Sequence, residues 1–591
     1  MLLTQPADDL LDIADERAYI EGLTRRIVAK CPRRKSTSGD ERRAQQMLAS
    51  ELSALGLRTQ FVPFRFNSSL YAVLALHFGL ASVASGLYLF YKVAANPDLF
   101  YCLVAALALH LFVAVSYLGD STYSFYWLRR LLRHRPSQNM VATLPAAGPV
   151  RLRIVLVGHA DAAPTGWIFK PSVVRTATNN YYPRPFRFLR KQLVGAIIAM
   201  SVLALHDLMA IAQPGQWMPV LFFGLTAACA IPFFLNMQLV LRNQIVPGAS
   251  DNLTGCVSLP VLAKRLADKK PDDVELVFVA TSCEEAGCGG SLALARGMGW
   301  EKHKTVILGL DILTNGDLRY KQCGEILPLP VAPWLYDTLQ EVAASDARWG
   351  TLPAFDAPAG SDDVAPFLAK GYEGVCLCCI DPTLGVSRHY HQPTDTPDNL
   401  EYDRWLDSID FAEKVVGAII RRRQAEATAL ALGEPLPPAQ GEPPQPYFPR
   451  VLAGWHVWLA IGPAAGLYWG LVASATWDTA FFIFKWVWLT FVLTFPLFLT
   501  LARLRRNPDR SPVAQTYVFF LLNALGISFL GLFVQPALDA AVTAWNATGP
   551  TAHAIGLGAI LGIFAALPVA IWHRARTKTA PARALLKRLG E

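Results

Sequence analysis

Residues 154–161 read Ile154-Val155-Leu156-Val157-Gly158-His159-Ala160-Asp161. An apolar run of this length is a strand, and it delivers His159 and Asp161 at its carboxyl end, where open α/β sheets place their sites. Upstream, Met140–Leu144 gives a second strand signal, and before it a helical pattern over Asp40–Gly56 leads into a strand-like Leu57–Phe66. Downstream, helix and strand alternate. Asn252–Ala267 reads as helix, Val274–Thr281 as buried strand, Gly290–Met298 as helix and Thr305–Ile312 as strand. Trp334–Ala344 follows as helix, Gly374–Ile380 as strand, and Tyr402–Arg423 as a closing amphipathic helix. Such alternation predicts an α/β sandwich around a largely parallel mixed sheet.

The rest of the chain is of another kind. Of 591 residues, 53% are hydrophobic and only 17% charged, outside the range of an ordinary soluble protein. The excess sits in runs of about 20 apolar residues, enough to cross a bilayer core of roughly 30 Å. They run approximately over Leu70–Tyr91, Leu99–Leu118, Leu193–Ala212, Met218–Leu241, Trp455–Ser474, Ala480–Leu501, Val513–Val534 and His553–Trp572. The expected organisation is a soluble α/β domain in three pieces, 1–66, 129–182 and 243–425, interrupted by transmembrane hairpins at 67–128 and 183–242. A Pro-rich linker at 426–450, four transmembrane helices over 451–575 and a basic tail at 576–591 complete it. Each insertion is an even number of crossings, so the three pieces end on one side and can meet.

Basic residues indicate which side. Arg129, Arg130, Arg133, Arg184, Arg187, Arg190 and Arg242 flank the soluble pieces, and Arg503, Arg505 and Arg506 the later helices, whereas the opposite loops carry only Lys92. The positive-inside rule then places the soluble domain and both termini in the cytoplasm of a multi-pass cell-membrane protein. The same asymmetry explains the net charge of +8 without nucleic-acid binding. The acidic start, with Asp8, Asp9, Asp12 and Asp15, does not read as a signal peptide. The cysteines show no disulfide spacing, and packing is the expected role of Cys376, Cys378 and Cys379. The Asn252 sequon would go unused on a cytoplasmic site.

Four further clusters join His159 and Asp161. Gly248-Ala249-Ser250-Asp251-Asn252 precedes a helix, so Asp251 is either its N-cap or a carboxylate bridging two metals. Cys283-Glu284-Glu285 follows an apolar strand, and paired carboxylates there are tolerable beside a metal ion. Glu285 would bind zinc while Glu284 accepts a proton from water and passes it to a leaving amine. Leu310-Asp311 ends another strand, and Tyr390-His391 opens a turn-rich loop in which Asp395 reads as a turn or cap residue. Asp161 could hydrogen-bond a ligand imidazole. His159, His391 and three carboxylates are the right inventory for two zinc ions sharing one bridging ligand.

Together these clusters resemble the co-catalytic zinc aminopeptidases of metallopeptidase family 28. The motifs G-H-x-D, G-A-x-D-N/D-x-x-G, E-E, L-D and Y-H-T-x-x-D-T stand here at Gly158–Asp161, Gly248–Gly255, Glu284-Glu285, Leu310-Asp311 and Tyr390–Thr396. The resemblance extends to the Ser38-Gly39-Asp40 helix start and covers none of the apolar runs. It implies one zinc on His159 and Asp311, a second on Glu285 and His391, Asp251 between them, Glu284 as general acid/base and Asp161 as support. Three departures stand out: Gln392 where relatives have Thr, Asp363 where many have His, and an apolar hairpin filling the normally short stretch from His159 to Asp251. That insertion brings the metal site to the membrane surface and leaves a lipid-like substrate open alongside a peptide or small amide.

The competing readings are a glutaminyl-cyclase-like acyl transferase with one zinc, a non-catalytic scaffold on the same fold, and a transporter. For the last, His77, His110, Asp207 and Lys485 are polar groups in or near apolar runs, for which helix–helix hydrogen bonding is the expected role. Self-association into a homo-oligomer is left open.

Overall fold

Apolar runs without alternation need cover on both faces, and the structure supplies it. The computed structural model describes residues 12–178, 192–212, 219–322, 331–357 and 360–433. All belong to the first of the chain's two units, Met1–Pro444. The expected linker begins at 426 inside the closing helix, and its part beyond Gly433, the four later apolar runs, Lys485 and the basic tail lie outside the described residues.

Among these residues the strands are β1 (Arg58–Phe66), β2 (Arg135–Leu144), β3 (Leu152–His159), β4 (Val274–Thr281), β5 (Thr305–Leu310), β6 (Asp317–Lys321), β7 (Ala354–Phe355) and β8 (Glu373–Ile380). They form one sheet in the order β1-β2-β4-β3-β5-β8-β6-β7. Its centre, β4-β3-β5-β8, is parallel. On one flank β1 and β2 run antiparallel, and on the other β6 is antiparallel to β8. The sheet is therefore mixed, parallel where the site is built.

Side chains alternate between two cores. Ile154 and Leu156 of β3, Leu276 and Phe278 of β4 and Leu308 of β5 face α1 (Glu16–Lys30), α2 (Gly39–Ala54), α8 (Thr254–Ala267), α10 (Pro333–Ala344) and α12 (Tyr402–Leu432). Val155, Val157, Val277 and Val279 face the opposite way, onto α9 (Gly289–Gly297) and α11 (Ala365–Ala369). Cys376 packs in one core and Cys379 in the other, and both are free thiols. The closing helix extends nine residues beyond its expected end at Arg423, to Leu432, where Gly433 takes a left-handed conformation (φ 70°) and its N–H bonds the carbonyls of Ala429 and Leu430. Helix α1 and strands β6 and β7 were not anticipated: the strands are short, and Asp317, Arg319 and Lys321 interrupt the apolar pattern of β6.

The apolar helices enter at two points. Phe66 and Arg135 are paired residues at the open end of the β1–β2 ladder, and the first helix pair, α3 (Leu70–Ala94) and α4 (Phe100–Ser121), is inserted between them. The second pair, α6 (Gln192–Ala212) and α7 (Pro219–Arg242), follows the short α5 (Pro171–Thr178). Its base is closed by a bridge between Pro164 and Ile245, with the Thr165 N–H donating to Gln244 O (2.9 Å) and the Val246 N–H to Ala163 O (3.0 Å). Leu70–Ala94, Pro97–Ser121 and Pro219–Arg242 are long and apolar enough to cross a membrane, and Leu193–Leu208 is a shorter apolar stretch. Helix α3 packs against α4 and α7, and α4 against α6. One buried polar chain joins the pairs: His110 Nδ1 lies 2.6 Å from Asp207 Oδ2, and its Nε2 lies 3.2 Å from Ser85 Oγ.

Candidate metal centre

The carboxyl ends of the parallel strands converge on one buried cluster. His159 ends β3, Glu284 and Glu285 follow β4, and Asp311 follows β5; His391 arrives from the loop beyond β8. Asp251 lies between the histidines, with Oδ1 3.3 Å from His159 Nε2 and Oδ2 3.3 Å from His391 Nε2. A second carboxylate stands near the same nitrogen of each imidazole: Asp311 Oδ1 is 3.7 Å from His159 Nε2, and Glu285 Oε1 is 3.6 Å from His391 Nε2. Two groups, His159–Asp251–Asp311 and Asp251–Glu285–His391, thus bring their donor atoms within 4.8 Å of one another and share Asp251. A third, His159–Glu284–Glu285, has the same spacing, with Glu284 Oε2 3.9 Å from His159 Nε2.

Each donor is held by a bond that sequence reading only partly foresaw. The backbone oxygen of Asp161, rather than its carboxylate, is the closer partner of His159 Nδ1 (3.1 against 3.5 Å). The Asp161 carboxylate instead accepts the N–H groups of Glu284 (3.2 Å) and Glu285 (3.1 Å) and the Ser36 hydroxyl (2.7 Å), so it orients the paired glutamates. Asp251 is not a helix cap, since α8 begins at Thr254 and Leu253 occupies its cap position. Its own support is Asp395, whose two oxygens accept the Ser250 N–H (2.6 Å) and the Asp251 N–H (3.1 Å). A turn residue in the sequence is therefore a buried clamp in the fold. Asn252 does the same for Asp311: its amide donates to Leu310 O (2.8 Å) and its oxygen accepts the Ile312 N–H (3.1 Å), bracketing the ligand. Gly255 permits that approach, because a Cβ there would lie 2.1 Å from Leu310 O.

The N-terminal piece completes the frame. Arg34 is buried, and its guanidinium donates to Ala160 O (3.0 Å), Pro247 O (2.8 Å) and Gly248 O (2.9 Å), rejoining the two segments that the second helix pair divides. Glu41 caps its own helix through the Thr37 N–H (2.8 Å) and accepts the Cys283 N–H (3.0 Å) just before the paired glutamates. Arg129 ties the first helix pair to the same loop through a bidentate pair with Asp120 and a bond to Ala286 O (2.6 Å). Neither arginine has a motif signal; both became recognisable only once the topology brought their carbonyl partners together.

The field of the cluster favours positive charge. Burial opposes the His159 imidazolium, but Glu284, Asp161, Asp251 and Asp311 outweigh it and hold its pKa well above the usual value. Burial lifts Glu284 well above the carboxylate range, with Asp363 and Asp311 adding and His159 opposing. Glu285 rises likewise through burial and the charges of Asp251 and Glu284. Burial also raises Asp251, yet its bonds to both histidines bring it below normal. Glu285 Oε1 is buried with no hydrogen-bond partner. An unsatisfied carboxylate oxygen 3.6 Å from the His391 imidazole nitrogen fits a cation held between the two.

Two neighbours bear on substrate. Lys321 of β6 is buried, donates to Ser361 O (2.7 Å), and stands 3.6 Å from both Asp311 Oδ2 and Asp362 Oδ2. Asp363 is turned away from the donors, accepting the hydroxyls of Thr281 (2.5 Å) and Ser291, and burial brings its carboxyl up to about 6 against the pull of His159 and those hydroxyls. Phe169 covers the site, its ring centroid 4.3 Å from that of His391 and its carbonyl accepting from the Gln392 amide.

Three strand ends and two loop segments thus bring five donors into one cluster that could hold metal ions, the chemistry a metallopeptidase site requires. The resemblance to metallopeptidase family 28 holds: residues 238–416 match the model of peptidase family M28. The match takes in Asp251, Glu284, Glu285, Asp311 and His391; His159 and Asp161 precede it, across the second helix pair. Similar solved structures include a zinc aminopeptidase from Bacillus subtilis, with a TM-score of 0.40, 13% identity and coverage of 69% of this chain and 96% of that one. A Zn-dependent exopeptidase from Parabacteroides distasonis gives 0.38, 11%, 68% and 97%. Porphyromonas gingivalis glutaminyl cyclase gives 0.38, 13%, 70% and 98%. No curated protein matches the sequence.

Proposed function

We propose that this chain is a membrane-embedded, zinc-dependent aminopeptidase that hydrolyses N-terminal peptide bonds, with two zinc ions per chain. The observation that carries it is Asp251, whose two carboxylate oxygens face different histidines at 3.3 Å each. His159 and Asp311 would hold one ion, Glu285 and His391 the other, with Asp251 between them. Zinc at such a centre acidifies water and polarises a carbonyl. Glu284 belongs to neither of the two groups that share Asp251, yet reaches within 3.9 Å of His159. Its raised pKa suits a base that takes a proton from water and returns it to a departing amine. Asp161 fixes the backbone of Glu284, and so the reach of that base.

In this reading α3, α4, α6 and α7 cross the bilayer with the later apolar runs, eight spans in all, and the basic flanks keep the catalytic sheet and both termini cytoplasmic. A one-zinc acyl transferase would leave one of the two donor groups idle, which is why the peptidase is preferred. The test is hydrolysis of a panel of aminoacyl-coumarins by the purified full chain beside Glu284→Gln. Turnover that vanishes in the variant supports the reading. Cyclisation of N-terminal glutamine without hydrolysis would replace it.

A further inference from the structure

Resting on that reading of the centre, we propose that the substrate is an amphiphilic amide. Its scissile bond meets the histidine–carboxylate cluster, and a long unbranched aliphatic chain lies between α3, α6 and α7. A single cavity of about 770 Å³ carries the argument. Its polar end is walled by the donors, His159 to His391, and its other end by Leu74 and Phe78 of α3, Ala196 and Ala199 of α6, and Leu225 and Ala228 of α7. That volume suits a ligand much larger than one amino-acid side chain.

The apolar arm is long and open by construction. Its lining runs from Leu70 to Phe78 on α3, about 12 Å at the helical rise, and from Leu225 to Asn236 on α7, about 16 Å. Alanines stand where larger residues would close the space. Ile198 of α6, also a wall residue, is 39% exposed, so neighbouring side chains do not fill the space around it.

The wall chemistry selects the occupant. None of the six residues named at the apolar end carries a hydrogen-bonding side chain, and the side-chain amide nitrogen of Asn236, further along α7, already donates to Pro232 O (2.7 Å). A peptide placed there would bury N–H and C=O groups without partners, at a cost an alkyl chain does not incur. Three of the four helices that form the group are also long and apolar enough to span a bilayer. An amphiphile resident in lipid could thus enter tail-first and present its amide to the cluster. Buried Lys321 at the polar end provides a positive charge near Asp311, suited to a carbonyl or an anionic head group.

The chain could sit on either side of the scissile bond, and two probes separate these cases: a hexadecanoyl-glycine and a glycyl-hexadecylamide, each with a diazirine at the chain terminus. Both are photolysed with the full chain in lipid nanodiscs, and labelled residues are mapped by mass spectrometry. The proposal expects one probe to label the walls around Ala199 and Ala228, and about a tenfold loss of that label under excess unlabelled amide. Ala228→Trp should remove the label, while Val220→Trp, on the exposed start of α7, should keep it. Label scattered over outward residues such as Val220 and Phe234, indifferent to competitor, would overturn the proposal. This readout needs neither metal nor turnover. If aminoacyl-coumarins are hydrolysed while the walls stay unlabelled, the peptidase reading survives and the aliphatic substrate does not. If the walls are labelled competitively by a protein without zinc or hydrolysis, the reverse holds.

Discussion

The catalytic end of the sheet and the group of apolar helices are built on opposite principles. At the sheet end, nearly every ligand is fixed by a hydrogen bond from a buried side chain to the backbone beside it: Asp161 for Glu284 and Glu285, Asn252 for Asp311, Asp395 for Asp251. Among the described helices, the bond from His110 to Asp207 joins the two pairs, and apolar packing surrounds it. The difference teaches where precision is needed. Chemistry requires donor atoms held to fractions of an ångström, whereas a chamber for an apolar chain requires only shape. Substitutions should therefore be severe at the first region and mild at the second.

The largest effect is expected at the base. Glu284→Gln preserves shape and removes proton transfer, so kcat should fall roughly 10²–10⁴-fold, with zinc content unchanged in the purified variant. The rate should fall as pH drops through the acid limb of the profile, since only the deprotonated carboxylate accepts a proton.

Next comes the positioning layer. Asn252→Ala strips the partners from Leu310 O and the Ile312 N–H, both adjoining Asp311. Zinc affinity should weaken about 10–100-fold in a chelator competition, although this residue touches neither ion.

Asp395 gives a test by pH. Burial and the charge of Asp251 push its carboxyl up to about 8, against the Ser250 and Asp251 N–H bonds. The folded state then retains a proton that an unfolded aspartate, with a pKa of about 3.9, releases. Its contribution is fully present below about pH 4 and is lost as pH rises through about 8. Chelator-treated protein should lose denaturation resistance over that window, and Asp395→Asn should flatten the decline.

The smallest effect belongs to the helices. His110→Ala should lower stability by about 1 kcal/mol, the scale of interhelical hydrogen bonds in lipid, with hydrolysis within a few-fold of wild type. A loss of hydrolysis as large as that of Glu284→Gln would break the contrast and bring the polar chain into the chemistry.

How much of this was legible in the sequence follows the same division. The central strands were readable, and the five candidate donors could be picked out, because buried parallel strands are unbroken apolar runs that end in chemistry-bearing residues. Val274–Thr281 was bounded as the structure has it. Asn252, Asp395 and Arg34 were not readable as positioning residues, since their partners lie 58 to 213 residues away and only the closed topology brings them near. Strand β6 escaped because Lys321 turns inward to Asp311 and Asp362, a charge placed where the pattern calls for an apolar residue. The cavity was beyond reach for a related reason: an alanine in an apolar run gives no sign of whether a neighbour fills the space above it.

Zinc stoichiometry tests the central claim most directly. Metal-free full-length protein would be titrated with zinc by calorimetry, beside Asp251→Ala, and metal per chain checked by mass spectrometry. The account predicts two ions per wild-type chain and loss of affinity for both when Asp251 is removed, because its carboxylate serves both histidines. A single ion, or a second that binds undisturbed without Asp251, would contradict it.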